Sequence, residues 1–160
     1  MEDFEIMIRD MNKHIKTADH LLYMTYPLVK DNKLIITIAD NLFLSLKKAV
    51  EAILYYDRLY KRISMYPENF NSKLEIFKNK CATRHNIDKK YVELIEEVYN
   101  LLEERKKSSM EFIRNDRYVF FSNATRTKSI SIEKLKTYIA NAKPFVQKIN
   151  RIYYEHATGR

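Results

Sequence analysis

Glycine, cysteine, proline and tryptophan are scarce or absent in this sequence of 160 residues. It has one glycine (Gly159), one cysteine (Cys81), three prolines and no tryptophan. Walker and dinucleotide-binding loops are excluded, because several closely spaced glycines must bring backbone N–H groups to the phosphates. The composition also argues against an all-β sandwich or barrel, because such folds need many tight turns, which are rich in glycine and proline. A lone cysteine cannot form an internal disulfide, which is typical of a reducing compartment.

Long hydrophobic runs are also missing. The most apolar region, residues 34–60, is interrupted by charged side chains such as Asp40, Lys47 and Glu51. It therefore falls short of the roughly 18 uncharged residues that a membrane span requires. The first residues, Met1-Glu2-Asp3, are acidic where a signal peptide is basic. We therefore expect a cytoplasmic protein without a membrane segment.

Acidic residues are sparse in the last third of the sequence. Residues 1–104 carry a net charge of −1, and residues 105–160 carry +9, which together make the formal net charge of +8. A positive region of this size attracts phosphate backbones and gains affinity by releasing counterions. The charge distribution predicts a polyanionic partner for the C-terminal third.

Apolar residues recur every three or four positions over most of the chain, which predicts amphipathic helices. The first stripe starts at Phe4 and continues to Thr25, with Pro27 near its end. Residues 34–62 are apolar over a wide arc, so we expect this helix to be central and the most buried. Shorter helices are predicted over residues 72–84 and after Asp88, which is a suitable N-cap.

The hydrophobic period changes after Lys107. Residues 117–122 and 126–130 are rich in aromatic and β-branched residues and flank the turn 123–125, which predicts a β-hairpin. Ser131 is a suitable N-cap for a last helix, in which Pro144 predicts a kink or a division into two helices. The predicted fold is a single mostly-α domain over residues 1–160, a bundle of four or five helices with a small β-hairpin insertion near residues 117–130.

The hairpin region combines cations with aromatic side chains. Arginine pairs with phosphate through two parallel hydrogen bonds, and exposed aromatic rings offer stacking surfaces for unpaired bases. One face of the hairpin is instead expected to cover the bundle, which would bury Phe120 or Phe121. The predicted nucleic-acid-binding residues are Arg105, Lys106, Lys107, Arg114, Arg117, Tyr118, Phe121, Arg126 and Lys128.

Histidine spacing does not predict a metal site. No two of the four histidines are three or four residues apart, which is the spacing that places two ligands on one face of a helix. Cys81 and His85 are four apart and could meet on a helix, as a thiol–imidazole pair or as half of a metal site that lacks two further ligands. The alternative is that Cys81 is a small buried hydrophobic residue. No metal or cofactor is predicted.

Two family resemblances add expectations. The sequence Arg151-Ile-Tyr-Tyr-Glu-His156 has the Arg-x4-His pattern of the HEPN superfamily, and the long second helix is also similar to that family. The resemblance implies a homodimeric, metal-independent ribonuclease in which Arg151 stabilises the phosphorane and His156 transfers a proton. Segments around His14–His20, Thr25–Asp31 and Leu54–Ile63 resemble a family of small uncharacterised archaeal helical proteins, which implies no function.

Three hypotheses follow for the function, and whether the protein is an enzyme stays open. The first is a helical module that binds nucleic acid, RNA rather than DNA, through its C-terminal third. The second is the HEPN-type ribonuclease acting as a homodimer. The third is a protein–protein adaptor, because tyrosine is favoured at interfaces and the sequence offers Tyr55, Tyr56, Tyr60, Tyr153 and Tyr154.

Overall fold

The computed structural model describes residues 2–122 and 126–159. Within them, five helices and one small antiparallel sheet follow one another along the chain. The helices are α1 (Glu2–His20, continued by a π-helical turn at Leu21–Thr25 and a short end at Tyr26–Val29), α2 (Lys33–Leu59), α3 (Phe70–Ile76, continued by a π-helical turn at Phe77–Cys81), α4 (Lys89–Lys107) and α5 (Ile132–Ala157). The strands β1 (Glu111–Arg114), β2 (Arg117–Ser122) and β3 (Arg126–Ser131) form the sheet in that order. The mostly-α fold with a small β insertion is confirmed.

Helix α2 is the centre of the bundle. It contacts α1, α3, α4 and α5, and twelve of its residues are buried. Ala49 and Ile53 have no exposed surface, as the wide apolar arc predicts. The helix ends at Leu59, earlier than the predicted residue 62. No helix within the described residues is long and apolar enough to span a membrane.

Sequence signals also define how the other helices start and pack. The α1 stripe from Phe4 to Leu22 is buried against α2. The predicted N-caps are confirmed: Asp88 accepts a hydrogen bond from the Lys90 N–H at 3.0 Å, and Ser131 accepts one from the Lys134 N–H at 3.0 Å. These side chains satisfy backbone donors that have no partner within the helix.

Pro144 does not divide α5, so of the two predicted alternatives, a kink or a division, the division into two helices does not occur. A single helix runs from Ile132 to Ala157 with Pro144 inside it. A proline removes one hydrogen bond to the carbonyl four residues earlier, here that of Ala140. Ala140 and Pro144 are both exposed, so water can hydrate the carbonyl that loses its partner.

The sheet contains one strand more than the sequence predicts. Strand β1 precedes the predicted hairpin, pairs with β2 and places Arg114 opposite Arg117. Strands β2 and β3 pair as predicted, while their turn, residues 123–125, lies outside the described residues. Phe120 and Ile130 have no exposed surface, so one face of the sheet covers the bundle.

Because glycine is almost absent, other residues adopt the left-handed conformation at helix ends. Lys61 has φ 58° and Asn86 has φ 53°. The Lys61 N–H bonds the Arg58 carbonyl at 2.9 Å, and the next N–H bonds the Asp57 carbonyl at 2.8 Å. At the second end, the Asn86 N–H bonds the Thr83 carbonyl, and the N–H of the following residue bonds the Ala82 carbonyl. Both ends are Schellman motifs, which usually contain glycine.

We therefore expect Lys61→Gly to stabilise the protein. A left-handed conformation costs an ordinary residue about 1–2 kcal/mol, whereas glycine loses about 0.5–1 kcal/mol in backbone entropy. The net gain is about 0.5–1 kcal/mol in the free energy of unfolding, measured by urea denaturation. Asn86→Gly is the matched control and should gain less, because asparagine tolerates this conformation. A lower midpoint for Lys61→Gly than for wild type would contradict the assignment.

Candidate nucleic-acid interface

The two faces of the sheet differ in what they contact. Side chains alternate along each strand, and opposite residues share a face. The inner face contains Phe120 and Ile130, which are buried against the bundle. By the observed register, the outer face carries Phe112, Arg114, Arg117, Val119, Phe121, Thr127 and Ser129. It contains no acidic residue.

Two arginines lie side by side on the outer face. Arg114 and Arg117 are directly opposite each other at the end of the β1–β2 hairpin, and both are exposed. Neither side chain has an ion pair or hydrogen bond with another described residue. Like charges directly across a ladder repel each other. The pair is therefore a site of positive charge that an anionic ligand would neutralise.

Apolar side chains flank the arginines. Phe112 is 44% exposed, and Val119 and Phe121 are partly exposed. An open depression of about 510 Å³ lies on this face and is lined by Phe112, Arg114, Asn115, Arg117, Val119, Thr127, Lys128 and Ser129. Its lining combines guanidinium groups, an aromatic ring and hydroxyl groups. Such a surface can bind phosphates and unpaired bases together.

The turn that carries the arginine pair is tied to the bundle. Asn32 Nδ2 donates to the Asn115 carbonyl at 2.8 Å, and the Tyr26 hydroxyl donates to Asp116 Oδ1 at 2.9 Å. The Ile132 N–H also donates to the Asp116 carbonyl at 3.1 Å. Burial, together with the hydrogen bond and the charge of Asp116, raises the pKa of Tyr26 to about 12. These bonds link the turn to α1, α2 and α5, so the bundle positions the two arginines.

Several of the sequence-predicted residues lie elsewhere. Arg105 pairs with Glu111 at 3.3 Å and lies 5.4 Å from the ring centre of Tyr118, which is on the inner face. Lys106 pairs with Glu103 at 3.3 Å, and Lys128 pairs with Glu104 at 2.6 Å. Lys107 and Arg126 are exposed, at the end of α4 and the start of β3. By the strand register, the outer face contains three of the nine predicted residues, Arg114, Arg117 and Phe121, together with Phe112, which is not among the nine. Lys128 also lines the depression, although it pairs with Glu104.

Arg151 and His156 do not form a joint site within one chain. Both lie on the uninterrupted helix α5, where residues five apart point about 140° away from each other. Arg151 is exposed, whereas His156 is partly buried, with its Nδ1 2.9 Å from the Tyr60 hydroxyl. The rings of Phe4 and Tyr56 also contact His156. The geometry gives His156 a packing role between α1, α2 and α5.

A buried carboxylate near the end of α2 was not foreseen. Asp57 has no exposed surface, and its oxygens lie 2.7 Å from His85 Nε2, 3.1 Å from Arg84 and 3.4 Å from Arg62. Burial alone would raise the pKa of Asp57, but hydrogen bonds from His85 and Cys81 and the charge of Arg84 outweigh it, so the pKa is lowered.

The predicted meeting of Cys81 and His85 is therefore mediated by Asp57. Burial, followed by the hydrogen bond to Asp57 and its charge, raises the pKa of the Cys81 thiol to about 12. A thiol with this pKa is a poor nucleophile at neutral pH. The part of the chain that the structure describes holds no group of three His, Cys, Asp or Glu side chains arranged as metal ligands.

Comparisons with known proteins identify no relative of this chain. No protein-family model matches this sequence, and no curated protein or solved structure is significantly similar to the chain. The function must therefore be inferred from the side chains themselves.

Proposed function

We propose that this protein binds single-stranded RNA through the outer face of its sheet. The observation that carries the proposal is the opposed pair Arg114 and Arg117, which lacks a carboxylate partner among the described residues. Two adjacent guanidinium groups repel each other until an anion lies between them. Phosphodiester groups supply that anion and match the hydrogen-bonding geometry of arginine.

The aromatic residues favour unpaired nucleotides over a duplex. Phe112 and Phe121 are on the same face as the arginines, and an unpaired base can stack on an exposed ring. In a duplex the bases are already stacked on each other and cannot reach a flat surface. The hydroxyl groups of Thr127 and Ser129 on this face offer hydrogen bonds to ribose 2′-hydroxyls, which supports RNA over DNA.

The salt dependence of RNA affinity tests the proposal. For a single strand, the logarithm of the association constant falls with the logarithm of salt concentration by about 0.7 for each phosphate neutralised. If each arginine contacts one phosphate, Arg114→Ala with Arg117→Ala should make this slope shallower by about 1.4. Fluorescence anisotropy with a labelled oligouridine at several salt concentrations measures the slope.

Two matched controls separate the outer face from general charge and from stacking. Arg9→Ala with Arg58→Ala removes the same charge from exposed positions on α1 and α2 and should leave the slope nearly unchanged. Phe112→Ala should cost about 1–3 kcal/mol of affinity without changing the slope, because stacking releases no counterions. If the two double arginine variants changed the salt slope equally, this would contradict the outer face as the binding site.

The same samples distinguish the other hypotheses. Undetectable RNA binding by the folded protein at low salt would reject the proposal and favour the adaptor. RNA cleavage that is lost in Arg151→Ala and His156→Ala but kept in the Arg114/Arg117 double would favour the ribonuclease instead. Binding without cleavage, with the slope change above, supports the proposal.

A further inference from the structure

The two edges of the sheet are protected to different extents. On the β3 edge, Lys134 Nζ donates to the Ser129 carbonyl at 3.2 Å, and Lys128 pairs with Glu104 of α4. On the β1 edge, all four residues are exposed, and the main contact of β1 is with β2. Edge strands with unpaired backbone groups readily pair with another strand.

The register shows which backbone groups of β1 point outward. A two-residue turn joins β1 to β2, so Arg114 and Arg117 form the closing hydrogen-bonded pair, and alternate residues of β1 bond to β2. The Phe121 N–H, which donates to Ser108 Oγ at 3.0 Å, agrees with this alternation. The N–H and C=O groups of Glu111 and Ile113 therefore face away from β2. No other described residue bonds to them.

Apolar side chains are concentrated at the same edge. Met110 is 62% exposed, and Phe112 and Ile113 are each 44% exposed. Nothing within the described residues covers this edge, in contrast to Ile130 on β3, which has no exposed surface. The β1 edge thus combines unsatisfied backbone hydrogen-bonding groups with exposed hydrophobic surface.

We propose that β1 pairs with β1 of a second copy of this chain, antiparallel and centred on Phe112. Only residues whose backbone N–H and C=O groups face outward, Glu111 and Ile113, can form the new ladder. A twofold axis perpendicular to the sheet relates the two copies, so their outer faces lie on the same side of the joined sheet. In this register Glu111 of each copy pairs with Ile113 of the other through both backbone groups, giving four hydrogen bonds. Phe112 then lies directly opposite Phe112 of the second copy, in an aromatic cross-strand pair.

The chemistry of the edge favours a second copy over an unrelated strand. The register is self-complementary: Phe112 faces Phe112, and the charged residues Glu111 and Arg114 lie opposite Ile113 and Met110 of the other copy, so no two like charges face each other. Pairing joins the two sheets into one of six strands. Their outer faces become continuous, with Arg114 and Arg117 of both copies on one surface. The proposal does not depend on RNA binding, because the new ladder is formed by backbone groups of Glu111 and Ile113; Phe112 is the side chain that the dimer and the proposed RNA surface share.

The interface is small, which determines how it must be measured. Pairing of two four-residue strands buries less surface than the roughly 1,200–2,000 Å² of a stable interface. The dimer should therefore dissociate on dilution. Sedimentation equilibrium over a wide concentration range should show a monomer–dimer equilibrium. A monomer throughout this range would overturn the proposal.

A proline at the edge tests the strand pairing. Ile113→Pro removes an outward N–H without removing a bond to β2, so it should abolish dimerisation while leaving the monomer folded. Ser129→Pro is the matched control, because by the same alternation Ser129 directs its N–H outward from the β3 edge. It should leave the dimer intact. Equal effects of the two variants, with unchanged circular dichroism, would overturn the proposed edge.

Disulfide trapping tests the register independently. In a Phe112→Cys variant, the two opposed Cα atoms would be about 4.5 Å apart, within the range of a disulfide. Mild oxidation should give a covalent dimer in high yield. In Arg114→Cys the equivalent atoms would be about 14 Å apart, so this variant should stay monomeric on a denaturing gel. Cys81 is buried and does not compete. Similar yields for the two variants would exclude the register centred on Phe112.

Discussion

Ile53→Asp is expected to prevent the chain from folding. Ile53 is fully buried on α2, the helix that contacts all four others. The substitution loses about 2–3 kcal/mol of apolar burial and places a carboxylate where it has no cationic partner, which costs several kcal/mol more. The sum is comparable to the whole free energy of unfolding of a typical domain, about 5–15 kcal/mol. Circular dichroism and a thermal melt measure the outcome.

The control for this variant lies on the same helix. Thr37 is exposed on α2, so Thr37→Asp introduces the same side chain where water solvates it. It should change the free energy of unfolding by no more than about 0.5 kcal/mol. A cooperative melt of Ile53→Asp within a few degrees of wild type would show that α2 is not the centre of the core.

The fold was largely predictable because its signals are local. The spacing of apolar residues from Phe4 to Leu22 and the cap residues Asp88 and Ser131 depend only on neighbours within one or two turns. Strand β1 was not predicted, because its four residues are exposed on both faces and show no alternation of polar and apolar side chains. Strand β1 is defined by its pairing with β2 and by the turn between the two strands. Neither can be recognised from the four residues of β1 alone.

The candidate interface was only partly predictable, for a related reason. The excess of positive charge after residue 104 was visible in the sequence, but which cations lack a partner was not. Lys128 and Glu104 are 24 residues apart in sequence, yet their side chains form an ion pair. Within residues 2–122 and 126–159, Arg114 and Arg117 have no such partner, because the outer face as described there contains no acidic residue. Counting charges along the chain cannot separate these two situations.

The role of Asp57 cannot be predicted from the sequence. In the sequence this residue appears only as a charged residue that interrupts an apolar helix. Its partners Arg62, Arg84 and His85 come from two loops, five to twenty-eight residues away. The carboxylate holds both loops against the C-terminal end of α2. The four-residue spacing of Cys81 and His85 predicts that they meet, but their shared partner Asp57 is on another helix and cannot be inferred from spacing.

Asp57→Asn should therefore be strongly destabilising at neutral pH. The amide keeps the shape of the carboxylate but loses its charge and cannot accept on both sides. Breaking a buried ion pair costs about 3–5 kcal/mol, and we expect the lower end, about 3 kcal/mol, because Arg62 and Arg84 are partly solvated. Glu93→Ala removes an exposed carboxylate 3.8 Å from Lys89 and should cost no more than about 0.5 kcal/mol. Urea denaturation of both variants and wild type at pH 7 gives the comparison.

The pH dependence of this difference separates charge from packing. The pKa of Asp57 is lowered in the folded protein, so the unfolded chain takes up a proton more readily than the folded one as the solution is acidified. The stabilising contribution of the carboxylate is then fully present above the ordinary carboxyl pKa of about 4 and is lost as pH falls through the lower folded value. The gap in free energy of unfolding between wild type and Asp57→Asn should accordingly shrink as the pH falls below about 4. A gap that stayed constant down to pH 3 would mean that Asp57 stabilises the two loops through its shape and hydrogen bonds, and that its charge contributes little.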